Sequence, residues 1–199
     1  ILTALGTTAP QSGFATMHAG GTAVPDASNV NTNGNGDIRA NLAVVPVAAD
    51  GSLSVTLERV DDVLIDVVGY FTSASAQPSA SGLFTAVAPT RLYDERAPGA
   101  PAAPAGGTLT LDLDGGLPAA SGAIAVLQNI TMTATTGFDF VTAYPAGGAV
   151  PEVSNVNAVA ADQTRAALAF TKLGAGTTVG YFTFGSSMLV VDAFGYFRS

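Results

Sequence analysis

In 199 residues there is no cysteine, one histidine (His18) and one lysine (Lys172), and each scarcity removes a class of chemistry. Without cysteine there is no disulfide framework, no thiol nucleophile and no thiolate metal ligand. One imidazole leaves room for at most one histidine-based triad or metal site. Lys+Arg number 7 against 15 Asp+Glu, so the formal charge is −8 and phosphate backbones would be repelled; nucleic acid is not an expected partner. No run of about 20 apolar residues offers a membrane span. The opening "ILTALGTTAP" has neither the charged n-region nor the apolar h-region of a leader, as expected of a mature or trimmed product.

The composition that remains is 48% hydrophobic and 11% charged, with 23 Gly and 11 Pro, which is globular rather than disordered. Abundant Ala, Thr and Gly, scarce lysine and a Ser/Pro spacer suit a secreted bacterial surface protein better than a cytosolic enzyme.

An internal repeat organises the chain. At an offset of 126 residues "SNVN" recurs at 28–31 and 154–157, Arg39 falls on Arg165, Leu42 on Leu168 and Asp66 on Asp192, and "GYF" recurs at 69–71 and 195–197. Upstream, "FATMHAGGTAVP" from Phe14 lies over "FVTAYPAGGAVP" from Phe140 without a gap. A period far longer than a solenoid unit predicts two homologous domains, 1–73 and 82–199, joined by a linker at 74–81 within "TSASAQPSAS". Ile1 falls over Leu127, so the first copy has no counterpart of "GLFTAVAPTRLYDERAPG" or "GTLTLDLDGGLPAASGAIAV" and lacks its N-terminal third.

Period-2 alternation dominates and no stretch has capped 3.6-residue periodicity. In "GSLSVTLER" Leu53, Val55 and Leu57 interleave with Ser and Thr, the pattern of a strand with one wet face. "VLIDVVGYF" and "LVVDAFGYF" are apolar on both faces and predict interior strands. Gly, Pro and Asn punctuate at intervals of about 8–12 residues, so the expected fold is all-β, two antiparallel β-sandwiches in tandem.

Several residues invite a chemical reading. Residues 31–37 approach the spacing of a calcium loop, but position twelve is Leu42 where a bidentate Glu is needed, and the second copy replaces Asn33, Asn35 and Gly36 by Val159, Ala161 and Asp162. A hairpin turn with positive φ is the better reading. Asp66 and Asp192 each interrupt an apolar strand and need a partner; Arg39 is expected on Asp66, and Arg165 or Arg91 on a largely buried Asp192, as ion pairs that fix register. His18 is matched by Tyr144, which argues against a shared catalytic histidine. Asp61 and Asp62 are sequence neighbours that point to opposite faces of a strand and read as a solvated pair. The sequon at Asn129–Thr131 is read as coincidence. In "TVGYFTFG" Phe182 and Phe184 replace Thr56 and Glu58, so both faces of that strand are apolar; Phe182, Phe184, Tyr181 and Tyr144 form a candidate contact surface. No catalytic, cofactor-binding or metal-binding residue is expected.

"VAPTRLYDERAPG", "AYPAGGAVPEVSNVN" and the closing "VVDAFGYF" together resemble a repeat domain of secreted actinobacterial cell-surface and cell-wall-associated proteins. Arg91, Tyr93, Asp94 and Arg96 match its opening R-x-Y-D-x-R pattern, with Glu95 where the family has Thr, and Asp192, Gly195, Tyr196 and Phe197 match its closing one. The first copy matches only from its middle to Asp66, Gly69, Tyr70 and Phe71. The resemblance implies a non-enzymatic, surface-exposed accessory module. Two functions follow as expectations: a structural or assembly module whose partners are copies of itself or other surface-protein domains, or a carbohydrate-binding module tethering an exported enzyme to glycan.

Overall fold

The computed structural model describes residues 1–72, 76–117 and 122–199. The expected linker, 74–81, lies partly outside them at 74 and 75. Among the described residues every regular element is a β-strand, and no helix is long and apolar enough to cross a membrane.

The first half contains β1 (Leu2–Gly6), β2 (Gly13–Ala19), β3 (Val30–Thr32), β4 (Ile38–Asn41), β5 (Leu53–Glu58) and β6 (Val60–Ile65). The second contains β7 (Leu83–Asp94), β8 (Gly107–Asp112), β9 (Ala123–Thr133), β10 (Asp139–Pro145), β11 (Val156–Ala158), β12 (Arg165–Lys172), β13 (Thr178–Thr183) and β14 (Met188–Arg198). Four sheets result, with strand orders β4-β1-β6, β3-β2-β5, β12-β9-β14-β7 and β11-β10-β13-β8, and every pairing between neighbouring strands is antiparallel. The fold is all-β and of sandwich type.

Shifting the first half by 126 places β2 on β10 and β3 on β11 residue for residue, and β1, β4, β5 and β6 on parts of β9, β12, β13 and β14. Each first-half sheet therefore has the strand order of a second-half sheet with one edge strand removed: β7 in one case, β8 in the other.

The Ser-Asn-Val-Asn recurrence has a local cause. Asn29 donates its amide N–H to the Ala15 carbonyl (2.9 Å) and accepts the Met17 N–H on its side-chain oxygen (2.6 Å), and Asn155 repeats this with Val141 (2.8 Å) and Ala143 (2.7 Å). Each asparagine side chain stands in for a missing strand residue and satisfies ladder donors that would otherwise be orphaned.

The cores differ in size. In the second half Ile130, Met132, Val141, Val179, Tyr181, Leu189 and Tyr196 pack with Leu109, Leu113 and Tyr93, contributed by β7, β8 and the turn after β8. The first-half core clusters around Leu2, Ala4, Ala15, Met17 and Val30. Leu53 and Leu57, the apolar row expected to face inward, are each 40% exposed, and among the described residues no strand lies beyond β5 in its sheet.

"LVVDAFGYF" lies within β14, an interior strand between β9 and β7. The matching expectation for "VLIDVVGYF" is corrected. Its strand stops at Ile65, β6 is a sheet edge, and residues 66–72 are irregular. In the second half, 192–198 is held on one side by β9 from Ala123 to Asn129 and on the other by β7 from Leu83 to Arg91. Asp66 still exchanges both backbone hydrogen bonds with Ile1 (2.9 and 2.6 Å), but among the described residues 67–72 have neither neighbour, so their backbone groups have no ladder to join.

Candidate functional site

Three features of the surface are candidates for contact with something else. The first is the open side of the first half. The repeat retains Asp66, Gly69, Tyr70 and Phe71, yet among the described residues nothing takes the place that β7 has beside their second-half counterparts. A Cβ added to Gly195 would collide with the Phe84 ring and come within 2.6 Å of the Thr85 carbonyl oxygen, so glycine there admits β7 at close range. A Cβ on Gly69 would meet nothing within 4 Å. Tyr196 is 2% exposed and Tyr70 is 87% exposed; Val67 and Phe71 are also exposed. Phe71 rests edge-on against Phe170 of β12, with ring centroids 6.4 Å apart.

The aspartates diverge in the same way. Arg91 of β7 donates through Nε to Asp192 (2.5 Å) and through a terminal nitrogen to Asp94 (2.5 Å), and Arg96 also binds Asp94 (2.7 Å). Hydrogen bonds from the Arg96 side chain first, then from its backbone amide, with the charges of Arg96 and Arg91, hold the Asp94 carboxyl well below the usual carboxylate range. The Asp192 side chain is 24% exposed, so this network sits at the sheet edge rather than in the core, a correction to the largely buried aspartate expected from the sequence. Glu95, where the resembled family has Thr, accepts the Leu189 N–H (2.9 Å) and the Ala103 N–H (3.2 Å), tying the turn after β7 to β14.

Asp66 is not paired with Arg39. Its backbone carbonyl accepts the Ile1 amino group (2.6 Å), and its carboxylate has no hydrogen-bond partner among the described residues. Arg39 instead donates Nε to Asp37 (2.7 Å), two residues away on the same turn. Arg165 likewise does not reach Asp192; a terminal nitrogen lies 3.6 Å from Asp37 in the first half. The expected pairings fail because Arg39 lies in β4 and Arg165 begins β12, edge strands separated from β6 and β14 by β1 and β9.

The second feature is a row of phenylalanines on the outer face of β10 and β13. Phe140 and Phe184 stack with centroids 5.1 Å apart and planes 16° apart, Phe138 meets Phe184 edge-on at 5.7 Å, and Phe182 leans on Phe140 at 5.9 Å. Phe138 and Phe184 are about half exposed (49% and 51%). Tyr181 and Tyr144 do not belong to this surface. Tyr181 is wholly buried, donating its hydroxyl to Gln128 (2.6 Å), whose amide donates to Thr171 (2.9 Å); burial pushes its phenol up from its ordinary value. At the corresponding first-half positions stand Val55, Leu2 and Val45, an apolar replacement of all three members. Tyr144 is buried and bonded to Thr108 of β8 (2.8 Å). Tyr181 alternates with Phe182 along β13 and so points inward, whereas Tyr144 shares the face of Phe140 and is covered there by Thr108 and by its close approach to Gly180.

The third feature is the seam between the halves, where the two copies of the Asn-Val-Asn and arginine positions converge on a cavity. Sequence reading missed it. The signal was present in the equal offsets of Asn31 to Asn157 and Arg39 to Arg165, but nothing local shows that the two copies face each other.

The remaining expectations concern single residues. The loop at 33–37 is a turn in which Gly34, Asn35 and Gly36 have φ of 72°, 54° and 71° and Asp37 accepts the Asn33 N–H (3.1 Å). Gln163 accepts the Val159 N–H (3.0 Å) in the matching turn, and Asp162 has φ of 57° where Gly36 stands in the first copy. Among the described residues no group of three or more His, Asp or Glu gathers to hold a metal ion. His18 is buried, with Nδ1 at 3.1 Å from both the Ala19 carbonyl and the Thr22 hydroxyl. No protein-family model matches the chain, and no curated protein matches its sequence.

Proposed function

We propose that the protein is a non-enzymatic structural module of a bacterial cell surface, built from two homologous domains, in which strands from outside these 199 residues complete the first. The observation that carries this reading is the closing Asp-x-x-Gly-Tyr-Phe segment of the first copy. It keeps the glycine that admits an adjacent strand, the aspartate that receives that strand's arginine and the tyrosine that the strand would cover, while its surroundings are open. An edge with unpaired N–H and C=O groups beside exposed apolar side chains is a template for strand addition. Burying Phe71 and Val67 would contribute about 1.5–3 kcal/mol each.

The incoming strands are of the β7 and β8 type, one for each sheet, and an arginine in the Arg91 position would meet Asp66. Such a contact joins unlike surfaces, so repetition propagates an open filament or layer unless its rotation closes. The resemblance to actinobacterial surface modules supports an extracellular, non-catalytic role, and the charge of −8 favours solubility between contacts.

Asp66→Arg tests the reading. It sets a positive charge against the incoming arginine without altering a hydrogen bond of the Asp66 side chain among the described residues. Where a neighbouring chain supplies these strands, light scattering should show self-association of the parent and its loss in the variant, with the far-ultraviolet circular dichroism of the dissociated chain retained. Equal association of both would contradict completion through this edge.

The phenylalanine row supports a second reading, a carbohydrate-binding module, since exposed rings on a sheet face suit stacking against sugar rings. Binding to a glycan array that is abolished in Phe184→Ser and Phe138→Ser would favour this function over assembly.

A further inference from the structure

The seam between the halves contains a cavity of about 190 Å³ lined by Asn31, Arg39 and Asn41 from the first half and Asn157 and Arg165 from the second. With about 30 Å³ per water, it holds roughly six waters or one small organic molecule. Its walls are repeat-related: Asn31 faces the same space as Asn157, and Arg39 the same space as Arg165.

The polar groups here are unbalanced in one direction. Asn157 is only 7% exposed, and its side-chain N–H₂ has no hydrogen-bond partner; Arg165 Nε is buried and also without one. Both are donors, and the guanidinium has no acceptor capacity. The nearest compensating anion, Asp37, already accepts Arg39 Nε (2.7 Å) and the Asn33 N–H (3.1 Å) on one oxygen and stands 3.6 Å from Arg165 with the other. One carboxylate thus serves two guanidinium groups. Burial first, then the nearby Arg39, pulls the Arg165 guanidinium below its ordinary value, as expected where positive charge is incompletely neutralised. Leaving buried donors unpaired is costly, so a native site with this imbalance calls for an acceptor.

The geometry points to a binding site for a small carboxylate, free or carried on a sugar, held between Arg165 and Asn157 at the seam. A carboxylate supplies acceptor oxygens in the planar arrangement that a guanidinium fork matches.

The test is a titration of the full chain with acetate and with glucuronate, at ionic strength matched with chloride and with sulphate as the competing anion. Arginine Nε–H resonances are followed by NMR, together with the thermal unfolding midpoint. A saturable shift of the Arg165 resonance and a rise in midpoint are expected, since a ligand bound only to the folded state stabilises it. Arg165→Gln should weaken binding about tenfold or more, the loss expected for a charge-assisted hydrogen bond. Asn157→Leu, which removes only the orphaned amide, provides a second variant that should bind more weakly. Equal affinity for both probes assigns the site to the carboxylate alone, and tighter binding of glucuronate assigns it to a sugar acid. No saturable shift beyond the chloride control, equal binding of sulphate, or undiminished binding in both variants would overturn the proposal.

Discussion

Tyr196 is 2% exposed and Tyr70, 126 residues earlier in the same Asp-x-x-Gly-Tyr-Phe setting, is 87% exposed. The same Asp-x-x-Gly-Tyr-Phe pattern thus has opposite surroundings. β7 and the start of β9 enclose 192–198, whereas residues 67–72 have no strand on either side among the described residues.

The paired glycines convert this into a mutational prediction. Gly195→Ala forces a methyl into the Phe84 ring and the Thr85 carbonyl and should destabilise the chain by about 1–3 kcal/mol in urea denaturation, as overpacking does. Gly69→Ala enters open space and should leave the dissociated chain within about 0.5 kcal/mol of the parent. It should nevertheless weaken association measured by sedimentation, because the methyl occupies the approach that an added strand needs.

Asp192→Asn probes the Arg91 network. A fully buried pair would cost about 3–5 kcal/mol when broken. With the Arg91 side chain 46% exposed and that of Asp192 24% exposed, solvent screens the interaction, and the expected loss is roughly 0.5–1 kcal/mol by chemical denaturation.

The two aspartates show what was legible in the sequence. Alternation and the 126-residue offset specified the strands and their kind, because side-chain period and turn chemistry are local properties. Edge or interior position is not local: "VLIDVVGYF" and "LVVDAFGYF" read alike, and only the missing β7 counterpart separates them. Arg91 was a named partner for Asp192 because the two are motif residues, but Arg39 and Arg165 were misassigned, since recurrence in step does not say at which edge of the sheet a strand lies. Tyr181 was grouped with Phe182 and Phe184 although strand alternation already separates it; Tyr144 does share the face of Phe140, and only its contacts with Thr108 and Gly180 show that it is covered. The buried Gln128–Tyr181–Thr171 network, replaced as a set by Leu2, Val55 and Val45, shows in the repeat only once contacts are known.

Tyr181→Phe should cost about 1–3 kcal/mol at neutral pH, since Gln128 Oε1 loses its donor in the core. The folded state holds the Tyr181 proton more tightly than the unfolded chain does, so the phenol's contribution is complete below the ordinary value of 10.0 and is lost as pH rises beyond it. Phenylalanine has no proton to lose. The stability deficit of the variant, measured by denaturation at a series of pH values, should therefore narrow above pH 10.

Asp94→Asn should show the opposite dependence. The folded-state carboxyl lies below its ordinary value of 3.8, so its contribution is present above that pH and fades as pH falls toward the lower folded-state value. Parent and variant should differ in unfolding midpoint near neutrality and converge in strong acid.

Hydrogen exchange at 67–72, followed with sedimentation as the assembled protein is dissociated, tests strand completion most directly. Completion by a neighbouring chain predicts slow exchange at these amides in the assembled state and exchange at nearly open-chain rates in the monomer. Protection that persists in the monomer, or its absence in both states, would contradict it.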